Sequence, residues 1–321
     1  MNVAFISDKD GGGTLGHYSS LINKFTSHHS DCIVNYNPYQ FKVDYESRDS
    51  DNGKIGTICR YILTNADILV FNNGYESVDF AQRAFEWKFD VTQKNFFFYG
   101  DINYFEEKRK YNLKVPVLTT QYIIKNFFDT YVYEADKTIY IPIAIDTGSA
   151  NYNNKIKYAN KIGIVHAPAS RQNKNTEGFL SVNSYVEMFF DSATFDIIEN
   201  VSWKKSLSDK KKYQIGVDHI NPNYGYYGIS SLENSAIGLF NCVNLPIDEA
   251  IYLCSMVECD IMPWAFTSDE GALYEVVGAY IKSPESLFQD RVRTKKWFDE
   301  SWDGKKIINK VMQAMEERCT I

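Results

Sequence analysis

Short apolar runs punctuate the first half of the chain at residues 3–7, 32–36, 68–71, 95–99, 117–119 and 138–141. Their length, their β-branched and aromatic content and the polar residues around them predict strands. Between them, residues 18–25, 55–64, 78–89 and 121–128 place apolar side chains at helical spacing and predict amphipathic helices. Around residues 151–157 the chain turns polar (Asn-Tyr-Asn-Asn-Lys-Ile-Lys), which suits a connection between domains. A second series follows, with strands at 161–166, 195–198, 214–218 and 239–243, a helix from residue 176 and a shorter one after Gly228. Residues 283–315 read as an amphipathic helical tail. Strand-length runs alternating with helix-length stretches define an α/β protein. Two such series without an internal repeat fit two Rossmann-like domains facing a cleft.

Composition narrows this picture. A chain of 321 residues is comfortable as two domains, each able to bury a core. A net charge of −7 does not favour nucleic acid as a partner. The six cysteines show no CxxC pairing and sit mostly in apolar surroundings, as expected of reduced, buried thiols in a cytoplasmic protein. The first residues, Met-Asn-Val-Ala-Phe-Ile-Ser-Asp, read as a strand and not as a signal peptide. No run approaches the roughly 18 apolar residues of a membrane span, so any membrane contact is expected to be peripheral.

The densest chemistry lies at Tyr224-Gly-Tyr-Tyr-Gly-Ile-Ser-Ser-Leu-Glu233-Asn-Ser-Ala-Ile-Gly238. Ser230 and Glu233 are spaced as a capping box, and Gly238 stands where a helix C-terminus favours a left-handed residue. Free amides at such a helix start suit phosphate. Glu233 either accepts from sugar hydroxyls or only caps the helix. Upstream, Gly163-Ile-Val-His166-Ala-Pro-Ala-Ser-Arg171-Gln-Asn-Lys174-Asn-Thr176-Glu177 reads as strand, loop and helix, with two cations suited to phosphate oxygens. Gly11-Gly12-Gly13-Thr14-Leu15-Gly16 matches GxGxxG, the dinucleotide fingerprint. Against NAD binding, Ser7-Asp-Lys-Asp10 separates strand from glycines, and the second strand ends at Asn35 and Asn37 where a ribose-binding carboxylate belongs. Asp49-Ser50-Asp51 has the DxD form but the composition of a turn, and no metal is expected there. Asp101 follows the apolar run 95–99 at a strand end.

These pieces resemble the GT-B glycosyltransferases, specifically the large retaining group 1 (family 4-like) set. The resemblance rests on Gly228-x4-Glu233-x2-Ala236-x-Gly238, on residues 166–176, which are similar to "HAPSxRxxKGT", and on Tyr140-Ile-Pro142-Ile-Ala-Ile-Asp146, similar to "IPNGID". The tail adds Ser-Pro-Glu-x-Leu at 283–287 and Lys-Trp-Phe-x-Glu-Ser-Trp-Asp at 296–303. The resemblance implies an N-terminal acceptor domain at 1–152, a nucleotide-sugar-binding domain at 153–300, and a C-terminal helix at 301–321 packing back on the first domain. It implies that Glu233 binds the donor's ribose. Arg171 and Lys174 hold its diphosphate with the loop amides of Gly228, Ile229 and Ser230. The loop at 198–203 lies near the base, and Gly12 and Gly13 lie near the donor sugar. His17 and Asp101 are the catalytic candidates. It implies a nucleotide-diphosphate sugar as donor, no further cofactor and an acceptor that is a saccharide, lipid-linked sugar, protein or modified base. Two departures stand out: Asn175 replaces a glycine, and Gly225 occupies the place of the first glutamate of the family's E-x7-E. The alternatives are a catalytically silent sugar-nucleotide-binding protein, a sugar-nucleotide epimerase and, further off, an NAD enzyme.

Overall fold

The computed structural model describes residues 1–9, 13–47, 52–89, 94–99, 116–120, 138–223 and 225–319. The chain divides into two compact units, residues 1–146 with 304–321, and residues 147–303.

The first unit is built on seven parallel strands: β1 (Asn2–Lys9), β2 (His29–Tyr36), β3 (Tyr45–Glu46), β4 (Ile68–Asn72), β5 (Lys94–Tyr99), β6 (Val117–Thr119) and β7 (Thr138–Tyr140). Their order is β3-β2-β1-β4-β5-β6-β7, a Rossmann order whose direction of winding reverses between β1 and β4. Strands covered on both faces read as continuous apolar runs, and Ile68–Asn72 is buried throughout. On one face, helices α2 (Asn52–Asn65) and α3 (Tyr75–Phe85) close a core of Ile6, Leu63, Phe71, Phe80, Phe97 and Trp87. Helix α3 stops at Phe85 rather than at the predicted residue 89. Glu86 turns left-handed there, and the freed segment packs Trp87 against Phe71 at 5.7 Å between ring centroids. Helix α1 (Thr14–Phe25) starts at Gly13, whose φ of 69° suits glycine alone without strain.

The second unit has five parallel strands: β8 (Ile162–His166), β9 (Ala193–Ile197), β10 (Ile215–Val217), β11 (Phe240–Val243) and β12 (Ala265–Phe266), in the order β12-β11-β10-β8-β9. This is the flavodoxin-like order, reversing between β8 and β10. Its helices are α4 (Arg171–Lys174), α5 (Thr176–Phe189), α6 (Trp203–Lys210), α7 (Ile229–Ala236), α8 (Ile247–Val257), α9 (Glu270–Lys282) and α10 (Pro284–Ser301). The predicted tail is two helices. Helix α10 ends at Trp302, which is fully buried, and α11 (Gly304–Cys319) packs on α1 in the first unit. Arg291 on α10 is buried and donates to the carbonyls of Gly238 and Lys157, both at 2.9 Å. Burial pushes its pKa down to about 10.

Helix α7 ends as the sequence predicts. Gly238 has φ 75°, its N–H bonds the Ser235 carbonyl at 3.1 Å, and the Leu239 N–H bonds the Asn234 carbonyl at 2.8 Å. These are the two bonds of a Schellman motif. Among the described residues, no helix is long and apolar enough to cross a membrane. Cys32, Cys59, Cys242 and Cys254 are buried free thiols, and Cys259 is a half-buried one.

Candidate functional site

The carboxyl ends of β8 and β10 flank the point where the second sheet reverses, and open α/β sheets hold ligands at such points. Two loops leave from there. The loop after β8 is shaped by its own polar residues. Ser170 caps α4 by accepting from the Asn173 N–H, and Asn175 takes a left-handed φ of 50° between α4 and α5. Asparagine tolerates that region better than other non-glycine residues, so the replaced glycine costs little. The Asn175 side chain also accepts from the Gly178 N–H at 3.1 Å and donates to Glu270 at 2.8 Å. His166, at the end of β8, is fully buried between the Val217 carbonyl and the Thr176 hydroxyl. Burial pushes its pKa down to about 4, so it serves as a neutral bridge between the two strand ends.

The loop after β10 begins with Asp218, fully buried at the head of α7. One of its carboxylate oxygens accepts from the Gly228 N–H at 2.8 Å and from the Ser231 hydroxyl at 2.7 Å, while the other accepts from Lys174 at 2.6 Å. The predicted capping box therefore does not form. Helix α7 starts at Ile229 with Gly228 at its N-cap, and the cap is a carboxylate delivered from the neighbouring strand. A charged acceptor at the positive end of a helix outcompetes a serine within the turn. Lys174, its side chain 12 % exposed, also lies 4.8 Å from the centre of the Tyr226 ring. Burial opposes its charge, but Asp218 and Tyr226 more than offset that and hold the ammonium above the ordinary lysine range. Burial likewise opposes the Asp218 charge, and Lys174 holds its carboxyl well below the usual carboxylate range. His219 stacks on Tyr226, 4.4 Å between centroids, with a pKa pushed down to about 4 by burial and by Lys174.

Glu233, one turn further along α7, is buried as well. Lys210 donates to one carboxylate oxygen at 2.8 Å and to the Ser230 hydroxyl at 2.9 Å, and the Trp203 indole N–H donates to the other oxygen. The Lys210 and Glu233 side chains are 3 % and 6 % exposed. Arg171, half-exposed, forks onto Glu199 with both contacts at 2.9 Å and reaches Glu177 at 3.1 Å. Arg171, Lys174, Gly228, Ile229, Ser230 and Glu233 thus share the loops and first helical turns beside β8 and β10. Gly13 and His17 belong to the first unit, at the start of α1. Gly12, Asp101 and the Asp49-Ser50-Asp51 triplet lie outside the described residues.

Gly225 has a structural reason of its own. A Cβ placed on it would meet the Pro246 ring at 2.4 Å, so the backbone here runs against a rigid neighbour that leaves no path for a glutamate side chain. Pattern reading misses Lys210, and Trp203, at the end of the loop expected near the base, meets Glu233 instead. Lys210 sits in Lys210-Lys-Lys212, which reads as a solvated basic run, and only the fold turns its first member inward.

No protein-family model and no curated protein matches the sequence at a significant level. Solved structures do match the fold. HepE of Anabaena, solved with UDP and glucose, superposes with a TM-score of 0.63 at 11 % identity, over 99 % of this chain and 100 % of that one. A glycosyltransferase from Rickettsia africae gives 0.59 at 10 % identity, over 98 % and 97 %. A UDP-N-acetylglucosamine 2-epimerase gives 0.50 at 9 % identity, over 97 % and 94 %. The chain has the GT-B fold: two Rossmann-like sheets, with the last helix returning to the first.

Proposed function

We propose that the second unit binds a nucleotide-diphosphate sugar and that the protein transfers the sugar to an acceptor, with retention and without an essential metal. The observation that supports this reading is the gathering of Arg171, Lys174, the head of α7 and Glu233 at one switch point of a GT-B fold. In this reading the half-exposed Arg171 guanidinium and the Lys174 ammonium take the diphosphate. The amides of Ile229 and Ser230 add to them, the Gly228 amide being held by Asp218. Glu233, kept in place by Lys210, accepts from the ribose hydroxyls. Fixed positive charge beside the departing nucleotide stabilises the negative charge that grows on it in the transition state. Gly12, Gly13, His17 and Asp101 are assigned to the sugar and acceptor side, and the acceptor is a saccharide, a lipid-linked sugar, a protein or a modified base. The protein works in the cytoplasm.

A second reading is supported by Gly225. With the Pro246 ring behind it, the position normally given to a carboxylate near the donor sugar has no side chain and no room for one. That favours a protein that binds sugar nucleotides without transferring them. Titration calorimetry with UDP-, GDP- and ADP-sugars separates the readings. One of them is expected to bind, with Arg171→Ala weakening it by about tenfold or more through loss of a charge-assisted fork. Failure of all three to bind at millimolar concentration would sink the donor site itself. Release of free sugar or of glycosylated acceptor identifies a transferase, an epimerised donor identifies an epimerase, and tight binding without turnover identifies the silent protein.

A further inference from the structure

Arg171 and Glu233 lie on different elements, yet both are bonded to the short connection that runs from β9 into the first residue of α6. Glu199 places its carboxylate on the Arg171 fork, with two contacts at 2.9 Å and one at 3.2 Å. Trp203 directs its indole N–H onto the Glu233 carboxylate. The loop between them is held on the strand end by the Ile198 N–H, which donates to the His166 carbonyl at 2.9 Å, and is shaped by Asn200 with φ 56° and by Ser202, which caps α6. An anion therefore sits on the cation expected to take the diphosphate, and an N–H donor sits on the carboxylate expected to take a ribose hydroxyl.

We propose that residues 199–203 are an internal stand-in for the donor nucleotide and compete with it. Resting on the donor-site reading above, this assigns Glu199 to the diphosphate's place on Arg171 and Trp203 to the ribose's place on Glu233. Nucleotide binding then exchanges both bonds for its own. The loop then sets affinity as an equilibrium between two occupants of the same groups, and its contacts lower affinity in proportion to the population of the occupied state. Lys210 is not exchanged, because its ammonium reaches Glu233 from within the core at 2.8 Å. It keeps the carboxylate aligned while the outer donor changes. Trp203, half-buried, changes its surroundings when it lets go, which makes it a reporter.

UDP, GDP and ADP titrated into the full-length wild type, Glu199→Gln and Trp203→Phe test this, read by calorimetry and by tryptophan emission. Both substitutions are close in shape and leave Arg171 with Glu177 and Glu233 with Lys210, and unchanged thermal unfolding verifies their folding. The diphosphate that binds the wild type is expected to bind Glu199→Gln about two- to fivefold tighter, the scale of one exposed ion pair. It is expected to bind Trp203→Phe about tenfold tighter, the scale of a hydrogen bond to a charge. Wild-type emission should shift on binding, and the shift should vanish in Trp203→Phe. Equal or weaker binding by both variants, with the wild type binding normally, overturns the loop's role and leaves the donor site standing. No binding of any diphosphate by any of the three proteins overturns both.

Discussion

The two units present the same topological feature and furnish it differently. In the second unit the switch point between β8 and β10 is crowded with buried charge: Asp218 against Lys174, and one turn away Glu233 against Lys210. In the first unit the switch point lies between β1, which ends in Asp8 and Lys9, and β4, which brings an amide to it. Asn72, buried at the end of β4, donates to the Ser7 hydroxyl at 2.9 Å and to the Lys9 carbonyl at 3.3 Å, and Asn73 and Gly74 follow with φ 55° and 59°. Among the described residues, no ion pair of the first unit lies at that point, and those it has are at least partly exposed. Strand order provides a crevice in both units, and side-chain chemistry decides what each crevice suits. One holds two buried ion pairs, and the other holds an amide bonded to a hydroxyl and a carbonyl.

The comparison breaks most readily at the buried pairs. Removing one partner strands the other charge, which costs about 3–5 kcal/mol. Lys210→Met is therefore expected to lower unfolding free energy by about that amount, measured by urea denaturation. The double variant Lys210→Met, Glu233→Leu should recover most of the loss, because it leaves no charge behind. A loss under about 1 kcal/mol for the single variant would show the pair to be solvated.

Lys174→Met has a similar expected cost with a pH signature. In the wild type the folded Asp218 stays ionised where the unfolded chain is protonated, so its share of the stability is lost as pH falls through the acid range. Without the lysine, burial raises the Asp218 pKa and the folded state retains a proton that the unfolded state releases. The gap in stability between wild type and variant should then widen as pH rises from about 4 to about 7. A gap that stays constant over that range would mean that Lys174 does not hold the Asp218 charge.

Much of this arrangement was legible in the sequence, and the part that was not has one cause. Gly238 as a helix terminator follows from local pattern, because it depends on residues within a few positions, whereas Arg171 and Lys174 join Gly228 from a distant segment, a grouping that only the resemblance implied. The Ser230–Glu233 box fails because Asp218, ten residues before Gly228, reaches the same helix end. The bonds of Lys210 and Trp203 to Glu233 stay hidden because they are tertiary, reaching it from 23 and 30 residues away. Gly225 looks like a missing glutamate until Pro246 is placed behind it. Gly225→Glu is accordingly expected to destabilise by about 1–3 kcal/mol through overpacking and to add no transfer activity. Restored turnover in that variant would return the position to the catalytic machinery.

The smallest expected effect tests whether the two switch points are separate in what they bind. Asn72→Ala removes the carboxamide that ties β4 to the end of β1 and leaves the Ser7 hydroxyl without that donor. One buried hydrogen bond of this kind contributes about 1 kcal/mol, and a modest lowering of the melting temperature should report it. Nucleotide affinity should not change, because no charged group of the second unit is touched, whereas Arg171→Ala should lower affinity and leave the melting temperature nearly unmoved. The two variants thus exchange their readouts. If Asn72→Ala weakens nucleotide binding as strongly as Arg171→Ala does, the switch point of the first unit takes part in holding the nucleotide, and the separation between the two points fails.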